Sequence, residues 1–201
     1  MDMIAKTFQI ALPETRQVFS TLPTANKPLP FSSEPDETRR NVSQFPPLFM
    51  RVLDKLTDGR YRLNFAGVAP EYNIQQDMLY LIAANRFNDD AAAWHGLFHE
   101  AAHRYQHVKY GAYFTVAPET AYIEMLIGIP ESRAKVEMTA DLAAWLARSR
   151  VGLPADASIV HSYVNGWGQI YQPVPMDAHY VDLIAADMVQ VYNEVSANVQ
   201  Q

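Results

Sequence analysis

Apolar and polar positions change their rhythm along the chain, and the changes mark out its elements. Residues 47–57, Pro-Leu-Phe-Met-Arg-Val-Leu-Asp-Lys-Leu-Thr, read as a helix that ends before Gly59. Three short strand candidates follow, Tyr61–Phe65, Glu71–Ile74 and Met78–Ile82, the last two separated by a Gln-Gln-Asp turn. The pattern then becomes helical. Asp89 or Asp90 is placed to cap a helix from about Ala91 to Val108 that stops before Gly111. A long loop spans 110–130. In the next helix, 131–149, Val136, Ala140, Ala143, Ala144 and Ala147 form a small-residue stripe suited to close helix packing, and the helix stops at about Gly152. A shorter helix is expected from about Asp156 to Ile170. A final one covers 177–197, with Val181, Ile184, Met188, Val191 and Val195 on one face.

Strands followed by helices predict an α+β fold, a small antiparallel or mixed sheet packed on a helical bundle. Residues 1–45 differ from the rest. Pro23, Pro28, Pro30 and Pro35, interspersed with Ser, Thr and Asn, predict an extended or wrapped arm, leaving 46–201 as a single globular domain. No internal repeat or low-complexity tract interrupts it.

Composition narrows the chemistry. A chain of 201 residues with 49% hydrophobic and 19% charged residues can bury a real core. It has no cysteine, so disulfides and thiolate metal sites are excluded, and any metal must be held by histidine and carboxylate. A net charge of −6 offers no general attraction for nucleic acid, and Arg39-Arg40 is too small a basic spot to supply one. The opening Met-Asp-Met-Ile-Ala-Lys-Thr-Phe-Gln has no signal-peptide pattern, and no apolar run approaches the ~18 residues of a membrane span. A cytoplasmic location is the expectation.

The candidate chemistry lies in the helix that begins near Ala91. Four of the six histidines, His95, His99, His103 and His107, recur every four residues. Within them His99-Glu100-Ala101-Ala102-His103 is an H-E-x-x-H. On a helix, residues four apart differ by about 40° in azimuth and about 6 Å in height, so both imidazoles can reach one metal ion. Glu100 is turned about 100° from His99, near enough to act on a water at that ion without ligating it. A catalytic zinc site of this kind needs a third protein ligand. Glu137 and Asp141, four apart beside the small-residue stripe of the next helix, are the acids placed to provide it. Glu137 reaches further and is the expected ligand. Asp141 is expected to hold a ligand histidine by its other ring nitrogen. The histidine stripe also suits a solvated polar face, and the two acids also suit pairing with Arg133 or Lys135. His95 and His107 drift off the motif's face and are expected beside the site or at the surface. Trp94, Phe98, Trp145 and Trp167 are expected to pack the helices together.

The stretch from about Tyr72 to Val195, roughly three-fifths of the chain, resembles the zincin-like metallopeptidase domain of ArdC-type antirestriction proteins of plasmids and phages. The blocks that carry the resemblance are Tyr72…Asp77-Met78-Leu79-Tyr80-Leu81, Trp94…Leu97-Phe98-His99-Glu100-Ala101-Ala102-His103-Arg104, Val136-Glu137-Met138-Thr139-Ala140-Asp141-Leu142-Ala143-Ala144 and Tyr163-Val164-Asn165-Gly166-Trp167. Ala185-Ala186-Asp187 is a weaker fifth block. The resemblance implies a gluzincin-like enzyme in which His99, His103 and Glu137 bind Zn²⁺ and Glu100 is the general base for hydrolysis of a peptide or protein substrate. It also implies an oxyanion stabiliser, for which Tyr163, His161, His179 and Tyr122 are candidates on chemistry alone. A strand before the motif helix, with Met78–Ile82 the candidate, would hold the peptide by edge pairing. The other readings it leaves are a non-catalytic zincin scaffold that binds or inhibits a host protein, and a single-stranded-DNA-binding accessory factor. The family's separate DNA-binding domain has no match in the roughly 60 Pro-rich residues before Tyr61, so nucleic-acid binding is not expected here.

Overall fold

The computed structural model describes residues 45–64, 66–110, 130–157 and 177–198, and describes only the backbone of 130–133. The proposed N-terminal arm (bar its last residue), most of the 110–130 loop, most of the Asp156–Ile170 helix, Trp167, and the Tyr163–Trp167 block lie outside the described residues.

The protein is α+β and mostly helical, with four helices and a small mixed sheet among the described residues. Helix α1, Pro47–Thr57, has the predicted bounds because both its ends are encoded locally. Proline starts it without losing a needed N–H. Asp58 and Gly59 take positive φ (52° and 72°) and turn the chain out, with the Asp58 N–H bonded to Asp54 O. Its buried face carries Phe49, Val52, Leu53 and Leu56.

Strands β1 (Tyr61–Leu63), β2 (Glu71–Asn73) and β3 (Met78–Leu81) form a sheet in the order β1-β3-β2. β1 runs parallel to β3, with Tyr61 opposite Leu79, and β2 runs antiparallel to it, with Tyr72 opposite Leu79. β3 is therefore the central strand, with Leu79 and Leu81 fully buried. This corrects the expectation that Met78–Ile82 could receive a peptide at its edge. Both of its edges are already paired, and among the described residues β2 is the outer strand on the side of the motif helix.

Helix α2, Asp90–Arg104, is capped by Asp89, whose Oδ1 accepts the Ala92 N–H at 2.7 Å. The helical path continues as predicted, but its last turn, Tyr105–Lys109, is a wider π-type turn closed by Tyr110 N–H to Tyr105 O at 2.9 Å. Helix α3, Pro130–Arg150, ends where Gly152 adopts φ 72° and the Leu153 N–H bonds back to Arg148 O at 3.0 Å. Helix α4, Ala178–Ala197, is capped by Asp177 through the Tyr180 N–H.

Leu97, Phe98, Ala101 and Ala102 of α2 share one core with Ala140, Ala143, Ala144 and Ala147 of α3 and with Ile184, Ala185 and Met188 of α4. The alanines of α3 are 0% exposed, so α2 and α3 approach over methyl groups rather than long side chains. That proximity carries the acids of α3 to the histidines of α2. Trp94 and Phe98 lie in this core, while Trp145, Val191 and Val195 pack at its margin. No helix among the described residues is long and apolar enough to cross a membrane.

Candidate metal and catalytic site

One turn of α2 brings His99 and His103 edge to face, with ring centroids 4.6 Å apart and the two Nε2 atoms 3.0 Å apart. From α3, Glu137 Oε2 approaches to 3.4 Å from His99 Nε2 and 3.5 Å from His103 Nε2. Three donor atoms from three side chains thus converge on one space. An ion bound tetrahedrally at about 2.0–2.1 Å holds its donors about 3.3–3.4 Å apart, so this triangle is of the size a zinc ion needs. The side chains of His99, His103 and Glu137 are 12%, 9% and 20% exposed, which leaves the convergence point a route to solvent.

Asp141, fully buried, lies on the far side of His99, with Oδ1 2.8 Å from Nδ1. An ionised carboxylate only accepts, so Nδ1–H donates, and in the neutral ring the Nε2 lone pair is aimed at the convergence point. Burial opposes a charge on His99, but Asp141, Glu137 and Glu100 outweigh it and raise its pKa well above the ordinary histidine value. Burial likewise pushes Glu137 upward, yet its hydrogen bonds to His103 and His99 hold it far below the usual carboxylate range. Asp141 is held low in the same way by His99 and His95. The carboxylates stay ionised around a space that attracts positive charge, either a proton on His99 or a metal ion.

Glu100 points elsewhere. Its Oε2 accepts the backbone N–H of Tyr72 on β2 at 2.7 Å, and its Oε1 is 4.0 Å from His99 Nε2. It is outside the donor triangle but beside it, with one oxygen anchored to the sheet and the other near the space a water would occupy.

Comparison with family models, curated proteins and solved structures gave no match.

The structure thus brings together His99, His103, Glu137, Glu100 and Asp141. His179 is exposed in the first turn of α4 and is not among the converging groups. Tyr163, His161 and Tyr122 lie outside the described residues. His107 serves a different cluster, with its Nδ1 2.8 Å from the Tyr72 hydroxyl. His95 is buried beneath His99, its Nε2 3.3 Å from Asp141 Oδ1 and its Nδ1 3.1 Å from Arg148 Nη2. Burial, only partly offset by Asp141, lowers its pKa to about 4 and keeps the ring neutral. Sequence reasoning passed over Arg148 and the Tyr72 amide. For Arg148 a signal existed: it follows Asp141 by seven residues, two turns along the same helix face. The Tyr72 amide had none, because a backbone donor carries no residue identity.

Proposed function

We propose that the protein is a zinc-dependent metallopeptidase with a zincin-like fold, hydrolysing a peptide or protein substrate where α2, α3 and β2 meet. The observation that carries this reading is the triangle of His99 Nε2, His103 Nε2 and Glu137 Oε2, with sides of 3.0, 3.4 and 3.5 Å, beside a separately anchored Glu100. Those three residues would hold the ion, which supplies Lewis acidity that polarises a carbonyl oxygen and makes water a better acid. Glu100 is the base: its Oε1 accepts the proton of the attacking water and then delivers it to the leaving amine. The Tyr72 N–H fixes the other oxygen, so the carboxylate does not have to be oriented during the reaction. Asp141 holds the Nδ1–H of His99 and thereby keeps its Nε2 available as a ligand.

The Tyr72 N–H points away from β3 toward Glu100, so the outer edge of β2 adjoins the base. The resemblance to ArdC-type proteins adds a setting, conflict between a mobile element and its host, in which the substrate is a host protein.

The test compares wild type with Glu100→Gln for zinc content and for cleavage of a diverse peptide mixture. The expected result is about one zinc per chain in both and cleavage by wild type alone. Zinc in both with cleavage by neither would replace the enzyme reading with that of a binding scaffold. A wild type that takes up no zinc would remove the site.

A further inference from the structure

Polar contacts continue inward from His99, through Asp141 and His95 to Arg148. We propose that His95 and Arg148 are positioning residues that fix how Asp141 holds His99, and that Arg148 keeps a second cation out of the space behind it. The inference rests on the metal reading of His99, His103 and Glu137.

Arg148 is the largest fully buried side chain among the described residues, at 0% exposure. Its Nη1 donates to Pro154 O at 2.7 Å and to Ala91 O at 3.3 Å, and its Nε donates to Ala144 O at 3.4 Å. Its Nη2 meets His95 Nδ1 at 3.1 Å. A guanidinium has no acceptor, so Nδ1 must be the accepting nitrogen. In the neutral ring the proton is then on Nε2, which faces Asp141 Oδ1 at 3.3 Å and donates to it. Asp141 Oδ1 therefore accepts two N–H groups, one from His95 and one from His99. Its Oδ2 is buried and meets no donor among the described residues. Orientation of the carboxylate thus depends on Oδ1. Without the His95 donor, it is held by the His99 bond alone and loses the contact that stops it from turning.

The same proton placement has a second consequence. His95, His99 and Asp141 offer donor atoms within 4.8 Å of one another, close enough to suggest a second metal site. An ion there would need the lone pair of His95 Nε2. That would put the proton on Nδ1, facing an Arg148 N–H, donor against donor. Arg148 thus commits this inner trio to hydrogen bonding and leaves the outer trio as the place for the ion.

Two measurements on the full chain test this: the tautomer of His95, read from long-range ¹⁵N–¹H spectra of metal-free protein, and zinc affinity in His95→Leu and His95→Gln. The glutamine can accept from Arg148 and donate to Asp141, whereas leucine can only pack. The expectation is an Nε2–H tautomer in wild type, a fall in zinc affinity of about 10–100-fold in His95→Leu, and recovery to within about threefold in His95→Gln. A packing role predicts the reverse order, with leucine tolerated better than glutamine. An Nδ1–H tautomer, or wild-type affinity in folded His95→Leu, overturns the inference and leaves the outer site standing. No zinc uptake by wild type overturns the metal reading and this inference with it, an outcome distinct from a change confined to the variants.

Discussion

Two polar clusters occupy the same helix, and they differ in whether their groups pair off or converge on one point. At the C-terminal end of α2, Arg104 directs Nε to Asp77 Oδ1 at 2.9 Å, Nη2 to Asp77 Oδ2 at 3.3 Å and to Asp58 Oδ2 at 3.1 Å, and Nη1 to Leu56 O at 3.2 Å. The Tyr72 hydroxyl donates to Asp77 and so accepts from His107 Nδ1–H. Donors meet acceptors, and the cluster ties α1, the β2–β3 turn and α2 together. One turn earlier, two imidazole nitrogens and a carboxylate oxygen converge on one point, and each can turn a lone pair to it when the rings are neutral. A saturated cluster explains itself as structure. A convergent set of nitrogen and carboxylate donors is one that could hold a cation, as proposed above. Tyr72 bridges the two, its side chain serving the first and its backbone N–H holding Glu100 of the second.

The difference can be broken from either side. The largest effect is expected at Glu100, where Glu100→Gln should cut the peptide-cleavage rate by about 10²–10⁴-fold while zinc content, measured on the same sample, stays at the wild-type level. His103→Ala should weaken zinc binding by at least about 100-fold, more than loss of an orienting partner does, with little change in the urea midpoint of the metal-free protein. Arg104→Met should do the opposite. It leaves Asp77 short of its main donor and should cost about 2 kcal/mol in urea unfolding while zinc affinity is kept. Smallest is Tyr72→Phe, which removes the hydroxyl and spares the amide; it should cost about 1 kcal/mol of stability and leave the cleavage rate intact. If Tyr72→Phe slowed cleavage as much as Glu100→Gln, the two clusters would not be separable.

Proton linkage sharpens the same contrast. The folded-state pKa of His99 is raised above its unfolded value of about 6.5. The stability contributed by its charged ring is complete below that value and is lost as pH rises through the raised folded one. A metal ion needs the neutral ring, so zinc affinity should climb over the same interval. The stabilisation of the protein by a fixed zinc concentration, read as a shift in Tm, is therefore expected to grow with pH across this window. A shift that shrank would mean that His99 is not a ligand.

Much of this arrangement was legible in the sequence wherever the information was local. Pro47 and Gly59 mark the two ends of α1, and of the two candidate caps Asp89 and Asp90 it is Asp89 that starts α2. The H-E-x-x-H spacing placed two imidazoles together because helix geometry alone does so. Greater side-chain reach put Glu137 in the triangle and left Asp141 behind His99. What depends on distant parts of the chain was not legible. Strand order is one example: β3 became the centre of the sheet because β1 joined it in parallel, which no local pattern specifies. The π-type turn at Tyr105–Lys109 is another, since its hydrogen bonds differ from those of an α-helix by one residue without a marker such as proline or glycine inside it. His95 was expected beside the site or at the surface, and which of the two holds depended on α3, which covers it with Arg148 and sets it against Asp141.

Calorimetric titration of the metal-free protein with Zn²⁺, run in parallel on wild type and Glu137→Ala, bears most directly on the central claim that His99, His103 and Glu137 form one cation site. The account predicts one equivalent of zinc bound by wild type and an affinity at least about 100-fold weaker in the variant. Equal binding by both proteins, or none by wild type, would contradict it.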